Sequence, residues 1–411
     1  MERFFLVGFP LKHSFSKKIH DLFGYDYQLM PLDEIQFESF IRQKAFNGIN
    51  VTIPYKQKVL QYIDDIHPLA KEIGAVNTVV NVDGKLVGYN TDFFGLKYAL
   101  NYAKIKLNDK KVLILGSGGA SLTAMAVAKE LKAKRITIIS RNGKDNYQSI
   151  NKYFDSQVII NATSVGMYPN NDGQLVNLKD FKSLEGVFDV VYNPLKTNLI
   201  LQAEELKIKN SGGLAMLVAQ AKKARDIFLG NEIDDELIAQ ILEIIEEQMK
   251  NIVFIGMPGC GKTSVGKNVS KKTKRVFFDS DKLIEIEQGL SVEEIFQTKG
   301  EQFFREKEKE ILIKLSRQNG VVIATGGGAI KDMETTKALR QNGFIVYLNR
   351  SLEKLRTEGR PLSKSFTEIE KLFLERSKLY EMACDIKIEN SNSKRKTVSI
   401  VLEKFYESFS Y

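Results

Sequence analysis

Two strand-like segments, each followed by a glycine-rich turn and a helical pattern, constrain the fold of this chain most strongly. The first is Lys111–Leu115, which leads into the sequence GSGGAS at residues 116–121. The second is Asn251–Ile255, which leads into GMPGCGKT at residues 256–263. A strand, a glycine-rich turn and a helix begin a parallel βαβ unit, in which amides at the helix N-terminus bind phosphate groups. The chain is therefore predicted to be an α/β protein with two nucleotide-binding units.

Further apolar segments extend this alternation along most of the chain, whose 411 residues are enough for two or three domains. Strands are predicted at residues 4–8, 48–53, 135–140, 158–161, 187–192, 276–278, 321–324 and 344–348. We expect a two-lobed α/β unit over residues 1–247, with one lobe formed by residues 1–100 and 214–247 and a second, Rossmann-like lobe formed by residues 101–213. A P-loop α/β/α domain is expected to follow over residues 250–411.

Composition argues against several other classes of protein. No apolar run approaches the roughly 20 residues of a membrane-spanning helix, and the first residues do not resemble a signal peptide. The chain has two cysteines, Cys260 and Cys384, and three histidines, which leaves little room for a disulfide framework or a zinc cluster. We expect a cytoplasmic protein without a membrane partner, whose oligomeric state the sequence leaves open.

The net charge of +9 is unevenly distributed between the two halves of the chain. Residues 1–247 contain 30 basic and 29 acidic side chains, whereas residues 248–411 contain 30 and 22. An excess of basic side chains is typical of proteins that bind nucleic acid or small anions. The basic run at residues 394–396 has no interleaved aromatic residues that could stack on bases, so we expect no nucleic-acid partner.

The segment GMPGCGKT fits the P-loop pattern completely and has the required strand before it and helix after it. Lys262 is expected to reach the phosphates of ATP, and the hydroxyl of Thr263 to bind Mg²⁺. Cys260 is interpreted as a small filling residue rather than a nucleophile. The predicted ATP-binding residues are Gly256, Gly259, Cys260, Gly261, Lys262 and Thr263.

Polar residues in the second half add to this nucleotide site. Asp279 and Asp281 are expected to end a strand with both carboxylates on one face, one binding a metal and the other accepting a proton. Further motifs are GEQFFREKE at residues 300–308, ATGGGA at 324–329, GRPL at 359–362 and RSKLY at 376–380. Together these motifs resemble shikimate kinase over residues 251–411.

This resemblance implies a role for each of these polar residues. Asp281 would deprotonate the 3-hydroxyl of shikimate, Asp279 would hold Mg²⁺, and Arg360 would be the lid arginine that closes over ATP. The clamp on the substrate carboxylate would consist of Arg305, Gly327 and Arg376.

The first glycine-rich turn is typical of a dinucleotide site, with alanine in place of the last glycine. The next strand candidate ends near Ser140 without the acidic residue that would hold the ribose of NAD. Arg141 instead favours the 2′-phosphate of NADP(H). The turn residues expected to contact this cofactor are Gly116, Ser117, Gly118, Gly119 and Ala120.

Seven segments of the first half form a second family pattern. They are residues 8–16, GINVTIPYK at 48–56, GAVNT at 74–78, GYNTD at 88–92, NATSVGM at 161–167, DVVYNP at 189–194 and MLVAQA at 216–221. In this order they resemble shikimate dehydrogenase over about residues 1–247. The resemblance implies a two-lobed enzyme with a substrate lobe (1–100 and 214–247) and a Rossmann-like NADP lobe (101–213). The resemblance implies that Lys56 and Asp92 form the catalytic pair. The implied substrate-binding residues are Ser14, Ser16, Thr52, Asn77, Tyr192 and Gln220. The further implied cofactor-binding residues are Ser140, Arg141, Thr163, Gly213 and Met216.

The two resemblances imply consecutive steps of the shikimate pathway, from which chorismate and aromatic amino acids are made. 3-Dehydroshikimate would be reduced with NADPH, and the shikimate formed would be phosphorylated with ATP and Mg²⁺. Three alternatives remain: a quinate/shikimate dehydrogenase fused to a kinase of small metabolites, a non-catalytic scaffold that keeps both folds, and a nucleic-acid-binding protein. The presence of Lys56, Asp92, Lys262 and Asp281 together argues against the scaffold.

Overall fold

The computed structural model describes residues 3–11, 14–355, 365–391 and 393–409. The chain divides into two compact units. Unit 1 comprises the residues up to Asn193 together with Thr197–Ile245, and unit 2 comprises Pro194–Lys196 together with the residues from Glu246 onward. Within the described residues, no helix is both long enough and apolar enough to cross a membrane.

The first sheet of unit 1 has six strands of mixed direction. They are β1 (Phe4–Gly8), β2 (Gln28–Pro31), β3 (Gly48–Val51), β4 (Asp65–Ile66), β5 (Thr78–Val82) and β6 (Lys85–Tyr89), in the order β2-β1-β3-β5-β6-β4. Strand β1 pairs in parallel with β2 and β3, whereas β5 is antiparallel to β3 and β6. The accompanying helices are α1 (Ser16–Leu22), α2 (Glu34–Gln43), α3 (Pro68–Ile73) and α4 (Asp92–Tyr102).

The second sheet of unit 1 has five parallel strands. They are β7 (Lys111–Leu115), β8 (Arg135–Ile139), β9 (Val158–Asn161), β10 (Gly186–Asp189) and β11 (Lys209–Ser211), in the order β11-β10-β9-β7-β8. Helices α5 (Gly119–Glu130) and α6 (Asn198–Glu205) connect strands of this sheet, and α7 (Leu214–Leu229) follows it. The apolar strands β7, β9 and β10 are almost wholly buried, as expected for a parallel sheet covered on both faces.

Unit 2 contains a five-stranded parallel sheet of its own. The strands are β12 (Asn251–Ile255), β13 (Phe277–Asp279), β14 (Val322–Ala324), β15 (Gly343–Asn349) and β16 (Ile386–Glu389), in the order β13-β14-β12-β15-β16. Helix α8 (Glu236–Met249) leads into β12. The remaining helices are α9 (Lys262–Thr273), α10 (Ser280–Gln288), α11 (Val292–Thr298), α12 (Gly300–Ser316), α13 (Met333–Asn342), α14 (Phe366–Ala383) and α15 (Lys394–Glu407). Strand β12 is fully buried at the centre, so the P-loop begins at the middle of the sheet.

The mixed α/β class and both strand–turn–helix junctions are confirmed. Four predicted strands, at residues 4–8, 111–115, 158–161 and 251–255, match the observed bounds. The strand predicted at residues 187–192 instead ends at Asp189, because its carboxylate accepts a hydrogen bond of 3.0 Å from the amide of Val191 and turns the chain. The strand predicted at residues 48–53 ends at Val51, where the amide of Tyr55 donates back to the carbonyl of Thr52.

Candidate active sites

The ammonium of Lys56 donates a hydrogen bond to the carboxylate of Asp92, which confirms that the two residues lie together. Asp92 is the first residue of α4 and is 6% exposed. The N-terminus of a helix stabilises a carboxylate, and a buried carboxylate needs such compensation. Gly119 lies close to Lys56, since a Cβ added to this glycine would be 3.6 Å from Lys56 Cδ. The glycine-rich turn of α5 therefore passes directly beside the Lys56–Asp92 pair.

Buried neutral groups surround the residue that precedes Asp92. The amide nitrogen of Asn77 donates to Thr91 Oγ1 at 3.0 Å, and the backbone amide of Thr91 donates to Asn77 Oδ1 at 2.7 Å. Thr91 Oγ1 in turn lies 3.4 Å from Gln220 Oε1. Asn77 and Gln220, which were predicted from separate motifs, thus meet at Thr91.

The predicted carboxylate-binding serines lie at the start of α1. The phenol of Tyr192 is hydrogen-bonded to the side chain of Ser14 and to the backbone of Phe15, and burial raises its pKa. The backbone amide of Ser16 donates to Ser14 Oγ at 3.2 Å. These contacts bring Ser14, Ser16 and Tyr192 together. Thr52 follows β3, and its methyl group lies where a side chain on Gly8 would be.

The turn after β7 has the shape that a dinucleotide phosphate requires. Gly116 has φ of +115°, and a Cβ there would lie 2.8 Å from the methyl group of Thr163. Gly118 is the N-cap of α5 without a side-chain cap, and a Cβ added to it would meet no heavy atom within 4 Å. Because the helix N-terminus is accessible here, the residues present fit NADP(H).

Two further predicted cofactor residues lie at the start of α7. A Cβ on Gly213 would be 2.1 Å from the carbonyl oxygen of Val190, so only glycine fits beside the strand end that precedes Tyr192. Met216 is buried in the first turn of α7. On the other side of the turn, Ser140 follows β8, and Arg141 is exposed. Burial raises the pKa of the nearby Tyr147 phenol, and the positive charge of Arg141 opposes this shift.

The P-loop joins β12 to α9. Gly256, Gly259 and Gly261 all have positive φ, which accounts for three of its glycines. The ammonium of Lys262 donates to the carbonyl oxygens of Gly256 and Met257 at 2.8 and 3.0 Å, which holds it along the loop. This arrangement fits a polyphosphate such as that of ATP. Cys260 is fully buried, consistent with a filling role.

The two residues predicted to bind Mg²⁺ lie together, but the backbone around them differs from the prediction. Thr263 Oγ1 donates to Asp279 Oδ2 at 2.7 Å, and a hydroxyl beside a carboxylate is a donor set that suits Mg²⁺. The expectation that Asp279 and Asp281 share a strand face is wrong. Asp279 ends β13 and caps α10, where its side chain accepts from the amide of Lys282, so Asp281 already belongs to the first turn of the helix.

Asp281 lies in a cluster of charged side chains that meets at the glycine run after β14. A Cβ on Gly326 would lie 2.0 Å from Glu308 Oε1 and 2.7 Å from Asp281 Oδ1, which shows how closely the two carboxylates approach. Burial, together with the negative charges of Glu308 and Asp279, raises the pKa of Asp281 to about 7, and the positive charges of Lys262 and Arg305 oppose this shift. A carboxyl group with this pKa is suited to accept a proton near neutral pH.

The two predicted clamp arginines reach the same glycine run. Arg305 donates to Glu308 Oε2 at 2.6 Å, and a Cβ on Gly328 would lie 2.3 Å from its Nη1. Arg376, which is 2% exposed, donates to the carbonyl of Gly327 at 3.2 Å. The clamp residues are therefore brought together beside Asp281. Arg360 lies outside the described residues.

Sequence reasoning missed several residues that hold these sites. Glu308 is 2% exposed and pairs with Arg305 three positions earlier on α12, a helical spacing that could have revealed it. Asn390 donates to the carbonyl of Cys260 at 2.7 Å and so holds the P-loop, but nothing in the local sequence indicated this contact. Thr78 and Thr91 were part of quoted motifs and received no role.

Comparison with known proteins decides the family. The model of the shikimate dehydrogenase substrate binding domain matches residues 6–79, and that of shikimate kinase matches residues 258–406. The shikimate dehydrogenase (NADP(+)) of Clostridium beijerinckii is 35% identical over 271 residues, which cover 61% of this chain and 100% of the relative. The chain belongs to the shikimate dehydrogenase family. The kinase match shows that the same chain also contains a shikimate kinase domain.

Solved shikimate dehydrogenases have the same architecture as the N-terminal part. A chorismate mutase/shikimate 5-dehydrogenase fusion protein from Clostridium acetobutylicum has a TM-score of 0.57 at 30% identity, covering 60% of this chain and 98% of its own. The shikimate 5-dehydrogenase from Thermus thermophilus in complex with NADP(H) and shikimate has a TM-score of 0.54 at 27% identity, covering 59% and 99%. The family thus includes a member fused to another enzyme domain.

Proposed function

We propose that the chain catalyses two consecutive reactions in the cytoplasm. Unit 1 reduces 3-dehydroshikimate to shikimate with NADPH, and unit 2 phosphorylates the 3-hydroxyl of shikimate with ATP and Mg²⁺. The observation that carries this proposal is that each unit has titratable side chains close to a glycine-rich turn suited to phosphates. In unit 1, the Lys56–Asp92 pair lies next to Gly119. In unit 2, Asp281 is close enough to Lys262 for the charge of the ammonium to lower its pKa. The product of the first reaction is the substrate of the second.

In unit 1, the carbonyl oxygen of the substrate gains a proton as its carbon gains a hydride. Bound NADPH supplies the hydride. The ammonium of Lys56 stabilises the negative charge that develops on the oxygen and donates the proton, and Asp92 orients the ammonium. Asn77, Tyr192 and Gln220 would hold the ring hydroxyls, while Ser14 and Ser16 would bind the carboxylate. Arg141 would bind the 2′-phosphate of the cofactor.

In unit 2, the attacking oxygen is the 3-hydroxyl of shikimate, and its proton passes to the carboxylate of Asp281. Arg305 and Arg376 would hold the substrate carboxylate against the glycine run, so that the hydroxyl faces Asp281. Lys262 would stabilise negative charge on the transferred phosphoryl group. Thr263 and Asp279 would hold Mg²⁺, which neutralises the phosphate charge.

A substrate panel tests this proposal against the rival assignment as a quinate/shikimate dehydrogenase fused to another kinase. We expect shikimate with NADP to be oxidised faster than quinate with NAD, and shikimate to be phosphorylated in preference to quinate. A faster reaction of quinate with NAD would overturn the assignment of unit 1. Phosphorylation of a different small metabolite in preference to shikimate would overturn that of unit 2.

A further inference from the structure

Thr78, the first residue of β5, has a hydroxyl group at the centre of a buried polar network in unit 1. The residue is 0% exposed, and it lies opposite Asn50 in the pairing of β3 with β5. Asn50 Nδ2 donates to Thr78 Oγ1 at 2.9 Å. On its other side, Thr78 Oγ1 lies 3.2 Å from Asn77 Oδ1 and 3.1 Å from Thr91 Oγ1. None of these contacts involves a charged group.

Backbone groups fix the orientation of both asparagine side chains in this network. The amide of Thr91 can only donate, so the Asn77 side chain must present its oxygen there and its nitrogen to Thr91 Oγ1. The carbonyl of Asn77 can only accept, and Asn50 Nδ2 lies 3.4 Å from it. Asn50 therefore presents its nitrogen to Thr78 as well, and the single proton of the Thr78 hydroxyl points to Asn77 or Thr91.

The network continues beyond these residues in both directions. The phenol of Tyr27 donates to Asn50 Oδ1 at 2.7 Å. Gln220 Nε2 donates to the carbonyl of Leu217 at 2.9 Å, which leaves Gln220 Oε1 facing the hydroxyl of Thr91. Thr78 is thus the link between the Tyr27–Asn50 pair and the residues that border the Lys56–Asp92 site.

We propose that Thr78 is a positioning residue of the dehydrogenase site, whose hydroxyl fixes the orientation of Asn77 and of the Thr91–Asp92 segment. Without that hydroxyl, Asn50 Nδ2 loses an acceptor and Thr91 loses a neighbour in a region closed to water, so both side chains can reorient. Asn77 and Asp92 would then no longer face the substrate in a single arrangement. This inference rests on the proposed reduction of 3-dehydroshikimate by unit 1.

The test compares two substitutions of Thr78 in the full chain. Thr78→Val keeps the shape and removes the hydroxyl, whereas Thr78→Ser keeps the hydroxyl and removes the methyl group. We expect Thr78→Val to lower kcat/KM for 3-dehydroshikimate by about tenfold or more, because buried polar groups lose partners, and Thr78→Ser to recover it to within about threefold. The KM for NADPH should change by less than about twofold in both, since the network borders the substrate.

Controls separate a positioning role from a general loss of folding. Thr137→Val replaces a buried threonine of β8 outside this network and is expected to leave kcat/KM unchanged. If Thr78→Val does not yield folded protein, Thr78→Ala provides the same comparison with Ser. Equal losses in the Val and Ser variants, a wild-type kcat/KM in the Val variant, or an equal rise in the KM for NADPH would each overturn the inference. A wild-type chain without any activity on 3-dehydroshikimate would instead overturn the proposed function.

Discussion

In unit 1 the carboxylate of Asp92 lies against the ammonium of Lys56, whereas in unit 2 the carboxylate of Asp281 lies beside a second carboxylate, that of Glu308. An adjacent anion disfavours the charged form of a carboxylate. In the proposed reduction, the first arrangement lets the carboxylate of Asp92 orient the ammonium of Lys56. The second raises the pKa of Asp281 to about 7 through burial and neighbouring negative charge, as a base requires. The surroundings of a carboxylate therefore decide which role it has.

The largest expected effect follows from removing the proposed base of unit 2. Asp281→Asn keeps the size of the side chain but cannot accept a proton, so kcat for shikimate phosphorylation should fall by about 10²–10⁴-fold. The dehydrogenase rate of the same preparation should stay within about twofold of wild type, since the residue belongs to unit 2. Glu310→Gln on the exposed face of α12 is the control. Retention of kinase activity in Asp281→Asn would show that Asp281 is not the base.

A smaller effect is expected from the second carboxylate, Glu308. Its buried pair with Arg305 holds the guanidinium beside the glycine run. Glu308→Gln removes the charge that holds Arg305, so the KM for shikimate should rise by about tenfold, while the KM for ATP stays unchanged. Steady-state kinetics with each substrate varied in turn measure both values. Glu306→Gln, on the same helix and exposed, should change neither, and an equal rise in both KM values would contradict a role specific to shikimate.

Arg141 tests the cofactor side of unit 1. If the exposed guanidinium binds the 2′-phosphate, Arg141→Ala should raise the KM for NADPH by up to about tenfold, through loss of a charge-assisted hydrogen bond. NADH lacks this phosphate and is the internal control, so its KM should not change. A parallel rise for NADH would mean that Arg141 supports the fold of the turn rather than the phosphate.

The smallest expected effect concerns the stability of unit 1 and its dependence on pH. All three histidines of the chain precede residue 68 and therefore belong to unit 1. His20 is 0% exposed, and burial lowers its pKa from 6.5 to about 3. The unfolded chain thus binds a proton between these pH values that the folded chain does not, so His20 makes unit 1 less stable as the pH falls below about 6.5. Relative to His20→Gln, the wild type should lose about 1 kcal/mol of unfolding free energy between pH 7 and pH 5.5.

Denaturant unfolding of wild type and His20→Gln at both pH values measures this difference. Comparison with the variant is needed because Asp189 acts in the opposite direction. Burial raises the pKa of this carboxyl to about 6, so its folded form gains protons as the pH falls. If the free energies of unfolding of the wild type and His20→Gln differ by the same amount at pH 7 and pH 5.5, this would contradict the burial of His20 in its neutral form.

The glycine-rich turns and their strands could be predicted from sequence because φ values of +115° at Gly116 and +106° at Gly261 strongly favour glycine. Likewise, the resemblances correctly placed Lys56 beside Asp92 and Arg305 beside the glycine run. Asp281 was wrongly assigned to a strand because alternation along a strand and capping of a helix compete at Asp279, and the cap is favoured. The hydrogen bonds that join Asn390 to Cys260 and Asn50 to Thr78 could not be predicted, because these residues are distant in the sequence and meet only after the sheets form.

The central claim, that one chain contains two independent sites acting in sequence, is tested most directly by a coupled assay of paired variants. Wild-type protein given 3-dehydroshikimate, NADPH, ATP and Mg²⁺ should form shikimate 3-phosphate. Lys56→Ala should form it only from added shikimate, and Lys262→Ala should stop at shikimate. A mixture of these two variants should restore the complete conversion. Loss of both activities through either single substitution, or failure of the mixture to form the phosphorylated product, would contradict the claim.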